Sequence, residues 1–308
     1  MTSATRALLI FNPAAGRNPA RRVAHVQELA RRLRHGGWTV DIAATDPECG
    51  AAPAAERGLR EGHTVLVGCG GDGTLNQIAH AIATYAGSSP RPALAVAPPF
   101  GTANVYARAI GCPGRPAAAA RWLLAAQPQP RPLGMAVTSA STRHFLAVAS
   151  VGYDAAVVRD MDPATKRLWG KLAFVASVAV AWQRYFPAPL DYEAGNLTGR
   201  ADGIMLGLTP FYAGRLHLGH PGPDGAIALA LRGAPRLLLL QALFLLTAGL
   251  EHAPGVERLP PGPISIPTPG RPLELDGEFA GTTPATLSAV SGGLKFLSHS
   301  LPPPDPVS

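Results

Sequence analysis

The stretch Val65-Leu66-Val67-Gly68-Cys69-Gly70-Gly71-Asp72-Gly73-Thr74-Leu75-Asn76 decides the fold. Three apolar residues read as a strand, the glycine run reads as a tight turn, and a helix follows from about Leu75 to Tyr85. The same unit recurs on both sides. Arg6 to Phe11 is a short apolar run that enters the turn Asn12-Pro13-Ala14-Ala15-Gly16. Asn18-Pro19 then supplies an N-cap and a first-turn proline for a helix to about His35, which Gly36-Gly37 ends. Trp38 to Ala43 reads as a second strand. Ala93 to Ala97 is a fourth, ending in Pro98-Pro99-Phe100-Gly101-Thr102-Ala103-Asn104 with another helix behind it. Short continuous apolar strands alternating with helices imply a parallel sheet covered on both faces.

Past Leu133 the pattern changes to short alternating strands between Gly/Pro-rich turns: His144 to Val151, Gly203 to Leu208, Ala226 to Leu231, Pro263 to Ile266 and Pro272 to Leu275. Two helical stretches interrupt them, near Lys166 to Trp182 and Arg236 to Leu250. This half reads as an antiparallel β domain. Gln127 to Pro132 reads as the linker, which sets the domains at 1–132 and 133–308, with a loose tail from Leu301. Two domains also match the length of 308 residues. The 34 glycines and 32 prolines are about a fifth of the chain, yet 47% of the residues are hydrophobic and no segment repeats. A disordered chain is thereby excluded, because enough apolar surface exists to offset the ordering entropy.

The net charge is +7, and Arg17, Arg21, Arg22, Arg31, Arg32 and Arg34 crowd the first helix against Glu28 alone. Such a run attracts anionic phosphates or lipid head groups, or is simply a solvated helix face. No nucleic-acid signature or aromatic stacking pattern accompanies it, so nucleic acid is not an expected partner. Cys49, Cys69 and Cys112 lack CxxC spacing, which excludes a disulfide framework and a zinc site. The N-terminus lacks an h-region and a cleavage site. The longest apolar stretch, Leu237 to Leu250, spans 14 residues and contains Gln241 and Thr247, short of the about 20 needed to cross a bilayer. The chain is expected to be cytoplasmic, with peripheral contact at the inner face of the membrane.

Three glycine-bearing loops, at Asn12 to Gly16, Gly68 to Thr74 and Pro98 to Asn104, stand at strand C-termini. Ligands of open α/β sheets bind beyond those ends. Glycine allows close backbone approach to a phosphate, and the helix N-terminus behind it supplies N–H groups. The set implies a nucleotide-phosphate site. Asp72 is out of place in such a loop unless it holds Mg²⁺, orients a reacting hydroxyl, or caps a helix. His217 and His220 have no third partner for a metal and are expected to face solvent. The leucines of 237–250 are expected in the core rather than along a lipid channel.

Gly70-Gly71-Asp72-Gly73-Thr74-Leu75-Asn76, with Asn12-Pro13-Ala14-Ala15-Gly16 upstream and Gly101-Thr102-Ala103-Asn104 downstream, resembles the diacylglycerol kinase catalytic domain family of bacterial lipid kinases and sphingosine kinases. Val151-Gly152-Tyr153-Asp154-Ala155, Pro223-Asp224-Gly225 and Asp276-Gly277-Glu278 extend the likeness to about Leu297. The resemblance implies an α/β N-terminal domain like that of NAD kinase and phosphofructokinase, plus a β-rich antiparallel sandwich. It implies ATP phosphates on Gly70, Gly71, Asp72, Gly73, Thr74 and Asn76 and on Asn12, Pro13 and Gly16, with Thr45, Gly101, Thr102 and Asn104 nearby. Glu278 would accept the proton of a lipid hydroxyl beside Asp276, and Asp224 would sit in a Mg²⁺ loop. A plain β-turn is the alternative for both Asp-Gly pairs. Val105 and Gln77 replace acids usual in the family, and the glycine-rich stretch before Asp224 is reduced to Ala213-Gly214-Arg215. The implied activity is an ATP- and Mg²⁺-dependent lipid kinase on a diacylglycerol-like or sphingoid lipid. Its rivals are an NAD kinase-like enzyme and a non-catalytic lipid- or nucleotide-binding regulator.

Overall fold

The computed structural model describes residues 5–13, 19–87, 92–97, 104–160, 188–214, 216–233 and 237–299. The helix expected near Lys166 to Trp182, the tail from Leu301, and Ala14 to Asn18 lie outside them. Two compact units form, one from Met1–Arg131 with Gly292–Ser308 and one from Pro132–Ser291.

In the first unit, β1 (Arg6–Phe11), β2 (Thr39–Ala44), β3 (Val65–Cys69) and β4 (Ala93–Val96) form a parallel sheet in the order β2-β1-β3-β4. Period-two alternation loads both faces. Ala7, Leu9, Val65 and Val67 pack on one face with Val26, Leu29 and Leu33 of α1 (Pro19–His35) and with Ala119, Ala120 and Leu123 of α5 (Pro116–Ala125). On the other face lie α2 (Ala52–Arg60), which the sequence reading missed, and α3 (Asp72–Thr84). A Cβ at Gly58 would stand 2.8 Å from Leu8 and Leu66, so α2 lies against the sheet only because that position is glycine.

The expected linker is instead a strand, β5 (Gln127–Thr138). Its prolines fall at every second residue, 128, 130 and 132. They delete N–H donors along one edge only, and the other edge is left to pair. Its partner is β18 (Ala285–Ser298), whose Phe296 also pairs parallel with Leu94 of β4. The second domain, expected to run to 308, therefore gives the chain back to the first unit at Gly292.

The second unit is a sandwich. One antiparallel sheet runs β14-β13-β10-β7-β16-β17, built from β7 (Val148–Gly152), β10 (Gly203–Gly207), β13 (Ile227–Leu231), β14 (Val256–Arg258), β16 (Pro272–Leu275) and β17 (Glu278–Thr282). The facing layer contains β6 (Thr142–Phe145), β8 (Leu190–Ala194), β9 (Leu197–Ala201) and β15 (Ile264–Ile266). Ile204, Leu206, Ala228, Ala230 and Leu273 meet Tyr192, Ile264, Ile266, Phe145 and Leu287 in one core. The alternate residues Met205, Ile227 and Leu229 turn to the opposite face, where Tyr212 of the short β11 (Phe211–Tyr212), Leu218 and Leu250 cover them. α6 (Tyr153–Asp160) follows β7 directly.

The helix expected at Arg236 to Leu250 is α7 (Leu238–Leu246); Leu250 is buried and Leu245 packs against the core as expected, but three other leucines are not. Gln241 is buried and donates to the carbonyls of Arg232 and Pro254, each at 3.2 Å. Those two bonds fix the helix rotation so that Leu240, Leu243 and Leu246 face outward, 43%, 52% and 65% exposed. They are not core residues.

Candidate active site

Because the strands are parallel and adjacent, the ends of β1, β2, β3 and β4 present their following residues at one edge of the sheet. Asn12 and Pro13 leave β1 there, and Thr45 follows β2 with its N–H on the Phe11 carbonyl at 2.9 Å. Arg22 of α1 is buried and its guanidinium donates to the carbonyls of Asn12 (3.1 Å) and Pro13 (2.5 Å). One of the six arginines of the first helix thus shapes the first loop, and burial lowers its pKa from the ordinary value. Arg31 and Arg32 pair with Glu28, and Arg34 donates to the Val40 carbonyl, so the basic face is largely engaged within its own unit. Gly16, Gly101 and Thr102 lie outside the described residues.

α3 begins at Asp72, three residues earlier than the sequence implied. Its first intrahelical bond runs from the Leu75 N–H to the Gly71 carbonyl at 3.2 Å. The N–H groups of Asp72, Gly73 and Thr74 therefore belong to the first turn, where no helical carbonyl precedes them. Gly70 is glycine because the Thr74 side chain lies over it, where a Cβ would collide. Asn76 sits on the same helix.

Asp72 reaches beyond its own helix. Its carboxylate accepts N–H bonds from Val105 (Oδ2, 3.1 Å) and Tyr106 (Oδ1, 3.2 Å), the opening residues of α4 (Val105–Ala109). An acid beside a phosphate-type loop is tolerable here because a neighbouring helix start neutralises it. Asn104 precedes α4 with φ 48° and ψ 48°, a left-handed conformation that asparagine tolerates better than most side chains. Val105, where the family has an acid, is buried. Gln77 accepts the Ala51 N–H at 2.6 Å and so fastens the start of α2.

In the second unit, Leu275 pairs with Glu278 and leaves Asp276-Gly277 as a two-residue hairpin loop. Both have positive φ, 51° and 83°, as this tightest hairpin turn requires. The plain-turn reading of Asp-Gly is therefore right about the backbone, but the side chain does more. The Asp276 carboxylate accepts the N–H groups of Leu146 (2.8 Å), Ala147 (2.8 Å) and Val148 (3.0 Å). Asp276 is turned inward as a clamp, while Glu278, two residues on, is exposed.

Behind this hairpin lies a group the sequence reading missed. Glu274 is fully buried, directly across from Ser150. Its Oε2 accepts the Gly277 N–H at 2.6 Å and its Oε1 lies 3.3 Å from Ser150 Oγ. Ser150 Oγ is also 2.6 Å from Asp154 Oδ2, and Tyr212 donates to Asp154 Oδ1 at 2.5 Å. Burial pushes the Asp154 carboxyl up and the Glu274 carboxyl well up, the charge of Asp154 adding to the latter. Burial and the Asp154 charge likewise raise Tyr212. A sequence signal existed only for Asp154, inside the quoted Gly152-Tyr153-Asp154 stretch; nothing in the spacing singled out Glu274.

Asp224 accepts the Ala226 N–H at 3.2 Å within its own turn. The cavity of about 110 Å³ beside it is also lined by Arg258, a cation where a metal site would need further acids. Among the described residues no three His, Cys, Asp or Glu side chains gather as a metal-binding group, His217 and His220 included.

One unit thus carries a parallel sheet with phosphate-type loops along one edge, and the other is a sandwich that presents an exposed carboxylate on a braced turn. Residues 6–136 match the diacylglycerol kinase catalytic domain. A diacylglycerol kinase of Staphylococcus aureus is 27% identical over 287 residues, covering 91% of this chain and 88% of that one. A probable lipid kinase, YegS-like, of Pseudomonas putida is 30% identical over 176 residues, 57% of each chain. The solved structure of a putative diacylglycerol kinase from Bacillus anthracis str. Sterne superposes with a TM-score of 0.77 at 19% identity, covering 97% of this chain and 98% of that one, which bears out the fold.

Proposed function

We propose that this chain transfers the γ-phosphate of ATP to a hydroxyl of a diacylglycerol-like or sphingoid lipid, with Glu278 as the proton acceptor. The observation that carries the reading is the contrast within one turn: Asp276 faces inward on three backbone N–H groups, and Glu278 is left exposed on the hairpin that they brace. Phosphoryl transfer asks the protein for positioning, charge neutralisation and one oriented base.

The β- and γ-phosphates are assigned to the first turn of α3, from Gly71 to Asn76, and to the loop that Arg22 shapes after Pro13. Asp72 keeps α4 in register beside them. Glu278 draws the proton from the attacking hydroxyl as the oxygen closes on phosphorus. Mg²⁺ entering with the triphosphate would supply neutralisation of the transferred charge. Peripheral contact with a lipid surface is supported by the outward leucines of α7 rather than by the arginines of α1, most of which are internally paired. No described helix is long and apolar enough to cross a membrane.

The test is transfer of label from γ-labelled ATP to a panel of hydroxyl lipids, resolved by chromatography, with NAD as a soluble comparator. Labelling of a diacylglycerol or sphingoid base supports the proposal. Labelling of NAD alone, or ATP binding without transfer to any lipid, overturns it.

A further inference from the structure

The group behind the Asp276-Gly277 turn contains a proton that the proposed reaction does not use. Ser150 Oγ stands within hydrogen-bond distance of two carboxyl oxygens, Asp154 Oδ2 at 2.6 Å and Glu274 Oε1 at 3.3 Å. A hydroxyl owns one proton and can donate once. The shorter contact takes it, so the Oε1 contact requires a proton from the glutamic acid itself, donated to Ser150 Oγ. Glu274 is fully buried, where an ionised carboxylate is costly. The charged and titratable groups that act on it are Asp154 on α6, Tyr212 on β11, and Asp276 in the turn beyond β16. Asp154 already receives the hydroxyl protons of Ser150 and Tyr212 and is the better-solvated anion of the pair.

The consequence falls on the turn. The other oxygen of Glu274 accepts the Gly277 N–H at 2.6 Å, one residue before Glu278. A β-bulge at Leu273/Glu274 aims that side chain at the loop. We propose that Glu274 is a positioning residue held as the neutral acid, which ties Gly277, and with it the exposed Glu278, to the Ser150–Asp154–Tyr212 hydrogen-bond chain. The proposal rests on the reading of Glu278 as the proton acceptor. A second buried negative charge would loosen the tie, so the hairpin is secure while the proton is present and slackens as rising pH removes it. The linkage has a definite sign. An acid with a raised native pKa makes stability fall as pH climbs from its unfolded value through its native one.

Three measurements on the full chain decide this. Infrared difference spectra of wild type against Glu274→Gln at neutral pH should show an un-ionised carboxylic acid carbonyl band that the variant lacks. Amide exchange at Gly277 should be slow in wild type and in Glu274→Gln, and faster in Glu274→Ala. In the kinase assay, Glu274→Ala should lower kcat by about 10- to 100-fold with the KM for ATP unchanged. Glu274→Gln, which keeps both hydrogen bonds of the neutral acid, should rescue most of that loss and remove the alkaline fall in kcat. An ionised Glu274 in the spectra, or a glutamine variant as impaired and as fast-exchanging as the alanine one, overturns the proposal. If no lipid is phosphorylated by wild type while the band and the protected Gly277 amide are present, the assignment of Glu278 fails and the proton assignment stands.

Discussion

Asp276→Ala is the perturbation with the largest calculable effect. The carboxylate accepts the N–H groups of Leu146, Ala147 and Val148, residues only 2%, 3% and 4% exposed, so water cannot replace it. A buried N–H left without a partner costs about 1–3 kcal/mol, and three sharing one acceptor cost about 3–6 kcal/mol together. Alanine held at φ 51° adds about 1 kcal/mol. The expected loss is about 4–7 kcal/mol, comparable with the whole stability of a small domain. Asp276→Asn keeps the oxygen that serves Ala147 and Val148 but sets an amide N–H₂ against the Leu146 N–H, for about 2–3 kcal/mol. With about 2–4 °C per kcal/mol for a unit of this size, the alanine variant should melt roughly 10–25 °C lower and the asparagine variant roughly 5–10 °C lower. Calorimetry at neutral pH, with amide exchange over residues 145–149, measures both. An alanine variant within about 2 °C of wild type, or unchanged protection of those three amides, would refute the clamp.

Two further outcomes follow from the structure. Burial pushes Glu251 upward, but the His220 ring and backbone N–H, then Arg258 and His252, outweigh it and hold the carboxyl below its ordinary value. Its stabilisation should be complete above the unfolded glutamate value of about 4.3 and vanish as pH falls through the native value; thermal melts down an acid series should flatten in Glu251→Gln. Replacing Leu240, Leu243 and Leu246 together with serine should reduce co-sedimentation with anionic lipid vesicles at least about tenfold. Melting should be nearly unchanged, since these side chains touch little protein.

The α/β half was legible because its signals are local. Apolar runs of strand length, Asn18-Pro19 at a helix start and glycines at strand ends each act within a few residues, and Arg6–Phe11 appears as read. What escaped depends on partners distant in sequence. Gln127 to Pro132 looks like a linker until β18 returns to pair with it from more than 150 residues away. The helix at Leu238 reads as core by composition, and only the anchoring of Gln241 by Arg232 and Pro254 turns Leu240, Leu243 and Leu246 out. At the site, Glu278 and Asp276 were found as a motif, but their opposite orientations follow from hydrogen bonds to residues about 130 positions earlier. Glu274 carries no motif, and its chemistry arises wholly from burial against Ser150 and Asp154.

The central claim is that Glu278 takes the proton from a lipid hydroxyl attacking ATP. Single-turnover transfer from γ-labelled ATP to diacylglycerol in mixed micelles, for wild type and Glu278→Gln side by side, tests it most directly. Loss of one general base predicts a fall of about 10²- to 10⁴-fold in the rate of transfer, with ATP affinity and melting temperature held, because the side chain is exposed and braced by its neighbours. A Glu278→Gln enzyme that transfers phosphate within a few-fold of wild type would contradict the account.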